Sequence, residues 1–347
     1  MLLWTARHFD REAFDIAVVS LMTGGPFASL IRGEGVRVVE MDQRRGLITP
    51  GAILRLIRLV RGFSPRIIQG HLFHSNMLSR LIAPLVPGAC SLSTRHNEKD
   101  TPLRSVFYRM TAPLSAGTVV FSEPVRRHAT GDSPRSGEVR IVPYGIEIAR
   151  TSSERAEVRT RLGIKPETFV WIAVGRLTGQ KGFDLLLEAF SHLCREDERS
   201  MVLLLVGDGE DRAALQHQAA GSVPSGWVRF LGEREDVAEL MEASDAFVLS
   251  SLWEGGPLVV LEAMAACLPV VATRVGDASN MVVEGETGLL VEAGLPAALT
   301  HAMNHIMDLG PAGRKWGKRG RERVESHFGF ERTQKSLEDI YRDLLEP

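Results

Sequence analysis

Residues 246–272 read AFVLSSLWEGGPLVVLEAMAACLPVVA. The stretch opens on a short apolar run, Ala246–Leu249, which leads through a loop containing Glu254 and Pro257 into an apolar helical segment. A second apolar run, Val270–Ala272, follows that segment. Continuous apolar strands separated by helices are typical of a parallel sheet that is covered on both faces. The stretch therefore predicts a strand–helix–strand unit.

The same alternation continues along almost the whole chain. Helical patterns include Ala52–Arg61, Asn76–Leu85 and Leu103–Ser115, and the last one is Glu331–Leu345. The apolar runs that predict strands are Phe14–Leu21, Val36–Met41, Arg66–Gly70, Ser91–Thr94, Thr118–Phe121, Val139–Val142, Phe169–Val174, Met201–Val206, Val228–Leu231, Ala246–Leu249, Val270–Ala272 and Leu289–Val291. The polar stretch Thr151–Arg161 divides these strands into two series, so the sequence predicts two doubly wound α/β domains in tandem.

The length of the chain fits this division. A chain of 347 residues is too long for one ordinary domain. We predict an N-terminal domain over residues 1–148, a C-terminal domain over residues 149–326, and a helix over residues 327–347 that packs back on the N-terminal domain. Ligands of doubly wound sheets bind beyond the carboxyl ends of the strands, so the expected site is the cleft between the two domains.

Composition narrows the class of protein. Lys and Arg together number 41 and Asp and Glu together number 43, and this balance gives no indication of a nucleic-acid partner. Three cysteines without a Cys-x-x-Cys pair exclude a disulfide scaffold and a zinc ribbon. No apolar run reaches the roughly 18 residues of a membrane span. A cytoplasmic protein is therefore expected.

The loop at Glu254 has the composition of a phosphate-binding site. Gly255 and Gly256 allow backbone N–H groups to approach a ligand closely, and Pro257 suits the first turn of the next helix. A helix N-terminus exposed in this way is a natural phosphate site. Glu262 is a lone carboxylate in a helix of Leu, Val, Ala and Met, so it needs a partner. Ribose hydroxyl groups would serve, and so would a structural arginine.

A second polar group follows the first predicted strand of the C-terminal domain. The run Gly175-Arg176-Leu-Thr-Gly-Gln-Lys181-Gly182 places two cations beside glycines at the carboxyl end of that strand. Arg can bind a diphosphate through two hydrogen bonds, whereas Lys acts as a point charge. The alternative is a solvated loop with incidental cations.

Together these two stretches make the sequence recognisable. Glu254 and Glu262 form a Glu-x7-Glu pair, followed by Ala-Met-Ala and Pro269-Val-Val-Ala-Thr. The other matching motifs are Pro143-Tyr-Gly-Ile, Gly175-Arg-Leu…Gln-Lys-Gly, Val206-Gly-Asp-Gly-Glu and Glu284-Gly-Glu-Thr-Gly-Leu-Leu-Val. From about Phe14 to the C-terminus, the chain closely resembles the retaining glycosyltransferases of family 4. The resemblance implies the GT-B fold, in which two Rossmann-like domains face a central cleft.

The resemblance also implies roles for the residues of the C-terminal domain. Arg176 and Lys181 match a diphosphate clamp that neutralises the charge of the departing nucleotide, which is a strong form of catalysis. Glu262 matches a carboxylate that binds ribose hydroxyl groups. Glu254 matches a carboxylate near the transferred sugar, with the N–H groups of the two following glycines beside it.

Histidines carry the implied roles in the N-terminal domain. His96, in Ser93-Thr-Arg-His-Asn, matches a strand-end histidine that faces the reacting centre. With a pKa near neutrality it would hydrogen-bond the sugar or assist transfer of the acceptor proton. A loop histidine that holds the backbone is the alternative. His71 and His74 follow the preceding strand and are expected either on the acceptor side or in a structural role.

The resemblance implies a metal-independent hexosyltransferase of polysaccharide biosynthesis without a cofactor. Its donor would be a UDP- or GDP-sugar, and its acceptor a saccharide or a lipid-linked sugar. A nucleotide-sugar epimerase of the same fold and an inactive homologue that only binds nucleotide remain alternatives. A dinucleotide fingerprint is disfavoured, because Arg212 stands where the third glycine after Gly207-Asp-Gly would belong.

A membrane-facing surface is a further possibility. In Ala52–Arg61, arginines alternate with apolar residues, and basic amphipathic helices can lie on anionic lipid. Arg104, Arg109, Arg126 and Arg127 add charge in the same domain. Peripheral association with the inner face of the plasma membrane would follow. An ordinary helix with a solvated arginine face is the alternative.

The sequence departs from the family pattern at several positions. Tyr144 replaces the usual Asn of Pro-Asn-Gly, and Asp277 and Asn280 replace a common Gly and Glu. Cys267 stands where a glycine normally ends the helix, so a left-handed conformation there would be mildly strained.

The start of the chain departs further. Met1–Asp10 resembles only the end of the family's first helix, and Phe14–Leu21 resembles its second strand. The expectation is a truncated chain without the first strand and its glycine-rich loop. That strand would lie between Phe14–Leu21 and Arg66–Gly70.

Overall fold

The structure is a computed structural model that describes residues 2–23, 25–44, 48–96, 101–132, 138–149 and 153–346. The chain folds into two compact units, the first made of residues 1–145 with 330–347 and the second of residues 146–329. Thr151 and Ser152, at the start of the polar stretch expected to join the domains, lie outside the described residues. Each predicted strand is present with small shifts at its ends, so the strand prediction is confirmed.

The first unit is built from parallel strands that alternate with helices. Its strands are β1 (Ala17–Ser20), β2 (Arg37–Glu40), β3 (Ile67–His71), β4 (Cys90–Arg95), β5 (Gly117–Val120) and β6 (Val139–Ile141). The helices among them are α1 (Leu2–His8), α2 (Gly25–Gly33), α3 (Pro50–Phe63), α4 (Leu72–Ile82), α5 (Pro102–Met110) and α6 (Glu123–Asp132).

These strands form two parallel sheets. One sheet contains β3, β4, β5 and β6 in that order, and the other pairs β1 with β2. In the part of the chain that the structure describes, β1 and β3 therefore belong to separate sheets. The two strands expected to flank a missing strand are not hydrogen-bonded to each other.

Two helices of the first unit differ from their predicted bounds. The helix predicted over 76–85 begins directly after β3, and its last residues, Ala83–Leu85, form a 3-10 turn. Leu72 makes this abrupt connection in a left-handed conformation with φ of 70°. The helix predicted over 103–115 ends at Met110, and Ala112–Leu114 forms another 3-10 turn.

A buried asparagine joins the carboxyl ends of β3 and β4. The Asn76 amide donates to the Thr94 carbonyl at 2.9 Å and to the Tyr108 hydroxyl at 2.9 Å, and its oxygen accepts from the Thr94 N–H at 3.1 Å. Gly70 permits this approach, because a Cβ there would lie 2.7 Å from the Asn76 Cα. A fully buried amide with these bonds holds α4 against the sheet.

The second unit contains the longer parallel sheet. Its strands are β7 (Phe169–Val174), β8 (Met201–Val206), β9 (Val228–Gly232), β10 (Ala246–Leu249), β11 (Val270–Thr273) and β12 (Gly288–Val291). Its helices are α7 (Arg155–Arg161), α8 (Phe183–Glu196), α9 (Arg212–Ser222), α10 (Val237–Glu242), α11 (Leu258–Ala265), α12 (Ala278–Met281), α13 (Pro296–Asp308) and α14 (Pro311–His327).

The strand order of this sheet locates a ligand site. The strands lie side by side as β12-β11-β10-β7-β8-β9. The chain therefore moves outward from β7 in one direction through β8 and β9, and in the other through β10, β11 and β12. Such a reversal is the topological switch point of a doubly wound sheet, and ligands bind there beyond the carboxyl ends of the strands. The switch point lies between β7 and β10.

Both faces of the sheet in the second unit are covered. Trp171 on β7 and Leu203 on β8 are completely buried, and Phe190 of α8 and Met303 of α13 pack in the same cluster. The helix α11 is apolar on almost all sides, which is the pattern of an interior helix. Strands buried on both faces explain why their sequences are continuous apolar runs.

The last helix, α15 (Phe330–Leu345), belongs to the first unit. The Thr333 hydroxyl donates to the Pro143 carbonyl at 2.8 Å, and the Phe330 ring lies 5.4 Å from that of Trp4. The Tyr341 hydroxyl also bonds the side chain of Gln69 on β3.

Cys267 has the left-handed conformation that its position predicts. Its φ is 59°, a value at which a Cβ crowds the backbone. A Cβ at Gly317 of α14 would lie 1.8 Å from the Cys267 carbonyl oxygen, so the two backbones are in close contact. Tight packing against α14 holds the strained turn in place.

Replacing Cys267 by glycine should stabilise the second unit by about 0.5–1 kcal/mol, because relief of the strain exceeds the entropy that glycine adds to the unfolded chain. Chemical denaturation of the variant measures this gain. Cys267→Ala is the control, since it removes the thiol and keeps the Cβ. Equal stabilisation by both variants would contradict the strain and assign the effect to the thiol.

Candidate functional site

The loops after β7 and β10 are joined to each other at the switch point. The Leu252 N–H donates to the Gln180 carbonyl at 2.8 Å, and the Ser250 hydroxyl donates to the Lys181 carbonyl at 2.8 Å. The Gln180 side chain returns a bond to the Trp253 carbonyl at 2.9 Å. We call these two segments, residues 175–182 and 250–257, the donor loops.

Gly182 is required where the donor loops meet. Its φ is 59°, and a Cβ there would lie 2.4 Å from the Ser250 carbonyl oxygen. Only glycine combines this conformation with this approach at low cost. The motif that ends in Gly182 therefore has a structural reason in addition to any contact with a ligand.

A buried ion pair connects the donor loops. The Lys181 ammonium lies 2.5 Å from Glu254 Oε1, and that oxygen also accepts from the Ser251 hydroxyl at 2.7 Å. Only 16% of the Lys181 side chain and 9% of the Glu254 side chain are exposed. Each charge compensates the burial of the other, so removal of either leaves an unpaired buried ion. Two of the predicted site residues are thus in direct contact.

Arg176 has no such partner. Its side chain is exposed, and none of the residues that the structure describes forms an ion pair or a side-chain hydrogen bond with it. Gly175, next to Arg176, lets the aliphatic part of the Lys181 side chain pack against the backbone, because a Cβ at position 175 would be 3.2 Å from Lys181 Cε. The donor loops therefore contain one cation without a described partner, Arg176, and one cation that Glu254 neutralises, Lys181.

Gly255, Gly256 and Pro257 connect this ion pair to α11. Pro257 is the N-cap residue of the helix, one position before the predicted first turn. The neighbouring loop after β11 packs directly on this segment, because a Cβ at Gly276 would lie 2.6 Å from the Glu254 carbonyl oxygen. The backbone around Glu254 is held from two sides.

Glu262 lies on α11 between two completely buried residues, Leu261 and Ala263. Its own side chain is half-buried, and no described residue donates a hydrogen bond to it or pairs with it. Burial raises its carboxyl pKa, since the charged form loses hydration. The structural arginine considered from sequence is absent among these residues, which leaves the carboxylate available for a ligand.

The glycines of the dinucleotide-like run have a packing role. A Cβ at Gly207 would lie 2.0 Å from the Gly175 carbonyl oxygen, and a Cβ at Gly209 would lie 2.3 Å from that of Leu177. The Asp208 carboxylate pairs with Arg212 at 2.6 Å. Their close contact with the first donor loop, residues 175–182, explains why glycine occupies these positions, so binding of a dinucleotide is not needed to explain them.

Asp277 is a buried carboxyl group in the loop after β11. It is 6% exposed, and its Oδ1 accepts from the Asn280 amide at 2.6 Å. Burial raises its pKa from 3.8 to about 6, and the bond from Asn280 offsets only part of that rise. Asp277 and Asn280, the two residues that depart from the family pattern here, are therefore hydrogen-bonded to each other.

Four aromatic rings form a stack in the first unit. His71 ends β3, and His96, Phe121 and Tyr144 follow β4, β5 and β6. The centroid distances along the stack are 6.0 Å, 5.0 Å and 5.0 Å, and the interplanar angles are 24°, 14° and 27°. We call these four rings the aromatic stack.

The aromatic stack was only partly predictable. His71 and His96 were selected from sequence and are in contact, whereas Phe121 was not selected. The available signal was a histidine or aromatic residue at the end of each of four successive strands or within three residues after it. His74 does not join the stack, because it lies exposed on α4 with its ring edge-on to Phe73.

The two histidines are neutral over the physiological pH range. Burial lowers the pKa of His96 to about 4 and that of His71 to about 3, where the neighbouring His96 contributes. The prediction of a near-neutral pKa for His96 is therefore wrong. No hydrogen bond joins either ring to a described residue, so the alternative of a backbone-holding histidine is not observed.

The apolar side of α3 faces the interior of the first unit. Leu56 is 7% exposed, and Ile53, Ile57 and Val60 pack against its core cluster. The alternative of an ordinary helix with a solvated arginine face therefore fits α3, whose apolar side does not face lipid. A periodic apolar stripe fits a core and a membrane equally well, so sequence alone could not decide.

Helix α5 has the exposed apolar stripe that α3 lacks. Leu103, Val106, Phe107 and Met110 recur at helical spacing and are 67%, 48%, 44% and 72% exposed. On the opposite side of α5, Tyr108 is buried. No helix in the described ranges is both long and apolar enough to span a bilayer.

Comparison with known families identifies the chain. Residues 154–323 match the model of the glycosyl transferases group 1, and residues 3–150 match that of Glycosyltransferase Family 4. The chain therefore belongs to the family 4 glycosyltransferases, as its motifs indicate.

Relatives by sequence include named glycosyltransferases. The lipopolysaccharide core biosynthesis glycosyltransferase LpsE of Rhizobium meliloti (strain 1021) is 30% identical over 71% of this chain and 67% of its own length. The UDP-Gal:alpha-D-GlcNAc-diphosphoundecaprenol alpha-1,3-galactosyltransferase of Escherichia coli is 27% identical over 60% of this chain and 55% of its own. The chain spans between half and two thirds of the length of such relatives.

A solved structure confirms the fold. The Anabaena protein Alr3699/HepE in complex with UDP superposes with a TM-score of 0.85, covering 99% of this chain and 94% of its own, at 19% identity. Two Rossmann-like α/β domains with parallel sheets, the GT-B architecture, are thus confirmed.

Replacing Glu262 by glutamine should weaken UDP binding by about 10–100-fold, because a charged hydrogen-bond acceptor is lost. Its unfolding temperature should stay equal or rise, since no described residue depends on the carboxylate. Isothermal titration with UDP and a thermal melt measure the two effects.

The matched control for this prediction is Glu188→Gln. Glu188 is an exposed helical glutamate of α8 without a described partner. An unchanged UDP affinity in Glu262→Gln, or a large loss of stability, would contradict the inference that this carboxylate is reserved for a ligand.

Replacing Asp277 by asparagine should stabilise the protein above pH 6. The folded pKa is raised from 3.8 to about 6, so the cost of the charged form is absent below about pH 4 and fully present above pH 6. This cost amounts to about 3 kcal/mol at most. Asparagine keeps the acceptor for Asn280 and cannot ionise.

Denaturation at pH 4.5 and pH 7.5 measures this effect. The exposed Asp15→Asn variant is the control and should change stability equally at both values of pH. A gain from Asp277→Asn that does not grow with pH would contradict the buried charge.

Proposed function

We propose that the protein is a retaining glycosyltransferase that transfers a hexose from a nucleotide-sugar donor to a saccharide or a lipid-linked acceptor. The observation that carries this proposal is the pair of donor loops at the switch point. They hold a buried Lys181–Glu254 ion pair and leave Arg176 and Glu262 without partners among the described residues. A nucleoside diphosphate offers an anion for the first of these and ribose hydroxyl groups for the second.

The donor is assigned to the second unit. Arg176 binds the diphosphate through its planar guanidinium, and Lys181 joins it when the diphosphate competes with Glu254 for the ammonium group. Glu262 accepts hydrogen bonds from the ribose. The structural neighbour Alr3699/HepE contains UDP, which supports a uridine nucleotide over a guanosine one.

The same groups would assist departure of the nucleotide. Negative charge grows on the diphosphate as the bond to the sugar breaks, and fixed cations stabilise that charge more than they stabilise the intact donor. Glu254 and the N–H groups of Gly255 and Gly256 contact the sugar. We assign no cofactor and no metal to this step, and activity is expected to persist in EDTA.

The acceptor is assigned to the first unit. His96 presents a neutral imidazole that can accept one hydrogen bond from a sugar hydroxyl and donate another. His71 stands next to it, and His74 remains a weaker candidate because it lies outside the aromatic stack. The names of the relatives, which refer to the lipopolysaccharide core and to diphosphoundecaprenol, support saccharide or lipid-linked acceptors.

A donor screen tests this function. The protein is incubated with UDP-, GDP- and ADP-hexoses and short saccharide acceptors, with and without EDTA, and mass spectrometry detects glycosylated product. Melting temperature is recorded with each donor, because a bound ligand stabilises the fold by mass action. We expect product and stabilisation with one UDP-hexose.

Each alternative has its own result in that screen. Interconversion of nucleotide sugars without product would indicate the epimerase. Stabilisation without turnover would indicate the inactive homologue. An absence of stabilisation by every nucleotide sugar would overturn the proposal as a whole.

We further assign the membrane contact to α5 in place of α3. Its exposed apolar stripe can enter the lipid interface, while the exposed Arg109 and Arg127, which pair with no described residue, can contact anionic headgroups. Arg126 contributes less, since Glu123 neutralises it at 2.7 Å. Phe107 packs on Phe73 beside His74, so this surface lies next to the proposed acceptor side.

Flotation with anionic and neutral vesicles tests this surface. Leu103→Ser should lower the fraction bound to anionic vesicles several-fold, because an exposed leucine of the stripe no longer enters lipid. The matched control is Leu54→Ser, which removes a leucine of α3 that is 55% exposed. Equal effects of the two variants, or no binding by the parent protein, would refute the assignment.

A further inference from the structure

The aromatic stack contains two residues that the proposed function leaves without a role. Phe121 and Tyr144 follow β5 and β6 on one side of β4, whereas His71 ends β3 on the other side, and the two rings are 2% and 9% exposed. Tyr144 is also the residue that replaces asparagine in the family pattern. The presence of two buried aromatic rings next to a candidate substrate-binding histidine, His96, therefore needs an explanation.

The geometry restricts the His96 ring. The Phe121 ring lies 5.0 Å away at an interplanar angle of only 14°, so the two faces are nearly parallel. The His71 ring lies on the neighbouring strand β3, 6.0 Å away at an interplanar angle of 24°. Packing against a parallel ring restricts rotation of the His96 ring about χ2, because a turn of the ring would lose that contact.

This restriction acts on an imidazole without hydrogen bonds to described residues. Histidines that are oriented for chemistry usually have one ring nitrogen bound to a carboxylate or a carbonyl group. No described residue supplies that bond to His96, and the ring contacts that the structure gives it are those with Phe121 and His71. Stacking uses the faces of a ring and leaves its nitrogens at the edge.

We propose that Phe121 and Tyr144 are positioning residues that fix the plane of His96 and thereby aim its two ring nitrogens at the sugar hydroxyl groups. Phe121 acts on His96 directly. Tyr144 acts through Phe121, whose other face it covers at 5.0 Å and 27°. The proposal rests on the proposed function, since it takes His96 to contact the substrate.

The backbone supports this arrangement of rings. Arg95 of β4 is in register with Val120 of β5, and Val120 is in register with Ile141 of β6. The residues that follow these strands are therefore brought side by side by the sheet itself. Fixed strand spacing, rather than a flexible loop, sets the distance between the rings.

Two variants of the stack and one rescue variant test the proposal. Phe121→Leu keeps the apolar volume and removes the parallel ring. Tyr144→Asn introduces the residue of the family pattern, and Tyr144→Phe restores a ring without the hydroxyl group. For the donor that gives product, we expect kcat to fall about tenfold in Phe121→Leu and less in Tyr144→Asn, with KM for the donor little changed and Tyr144→Phe close to the parent.

The matched control is Phe9→Leu. Phe9 is a buried phenylalanine of the same unit that packs on Phe14 and Tyr341, away from the stack. Phe9→Leu should lower the melting temperature about as much as Phe121→Leu does and should leave kcat unchanged. A similar fall of kcat in Phe9→Leu would overturn the proposal, because general loosening of the unit would then account for the effect.

A double-mutant cycle and an NMR measurement separate positioning from chemistry. In the His96→Ala background, Phe121→Leu should cause no further loss of kcat, whereas additive losses would overturn the proposal. In the protein without substrate, the nuclear Overhauser contacts between the ring protons of His96 and His71 should weaken in Phe121→Leu, because the His96 ring then samples other orientations. Unchanged contacts would also overturn it. The NMR readout needs no turnover, so it remains decisive if no donor is ever found.

Discussion

The contact between the two donor loops is the interaction on which the rest of the second unit depends. The strand order places β7 and β10 side by side at the switch point of the sheet. The loops that follow these two strands are joined by the buried ion pair between Lys181 and Glu254. The hydrogen bonds around Gln180 and the close approach at Gly182 make the contact rigid. In the proposed function, a preformed arrangement of this kind would stabilise developing charge without reorganisation during the reaction.

The sequence predicted the architecture well because burial and local pattern agreed. Strands covered on both faces, such as Phe169–Val174, must be continuous apolar runs, and they occur where expected. Glu262 was also predictable, since a lone carboxylate in an apolar helix needs a reason. Properties that depend on tertiary contacts could not be predicted from the sequence. Neither the exposure of the apolar stripe of α5 nor the lowered pKa of His96 follows from residues nearby in the sequence. Both depend on which neighbours the folded chain provides.

The two units hold their polar groups in different ways. In the donor loops and α11 of the second unit, Lys181 and Glu254 pair in the interior, whereas the exposed Arg176 and the half-buried Glu262 have no partner among the described residues. In the first unit, burial keeps two histidines neutral, and their rings stack on each other and on Phe121. Buried groups without partners cost stability, so their retention fits a site in which a ligand completes the bonding. The left-handed Leu72 beside His71 adds strain to the same region.

Trp253 gives the donor loops an optical property. Its carbonyl accepts the bond from Gln180, it immediately precedes Glu254, and its indole is 51% exposed. The other four tryptophans, all within the described ranges, are buried or half-buried. Water therefore reaches the emitting ring of this residue most freely. Any ligand that settles on the loops will change the polarity around that ring, so the intrinsic fluorescence of the unlabelled protein reports on the occupancy of this region.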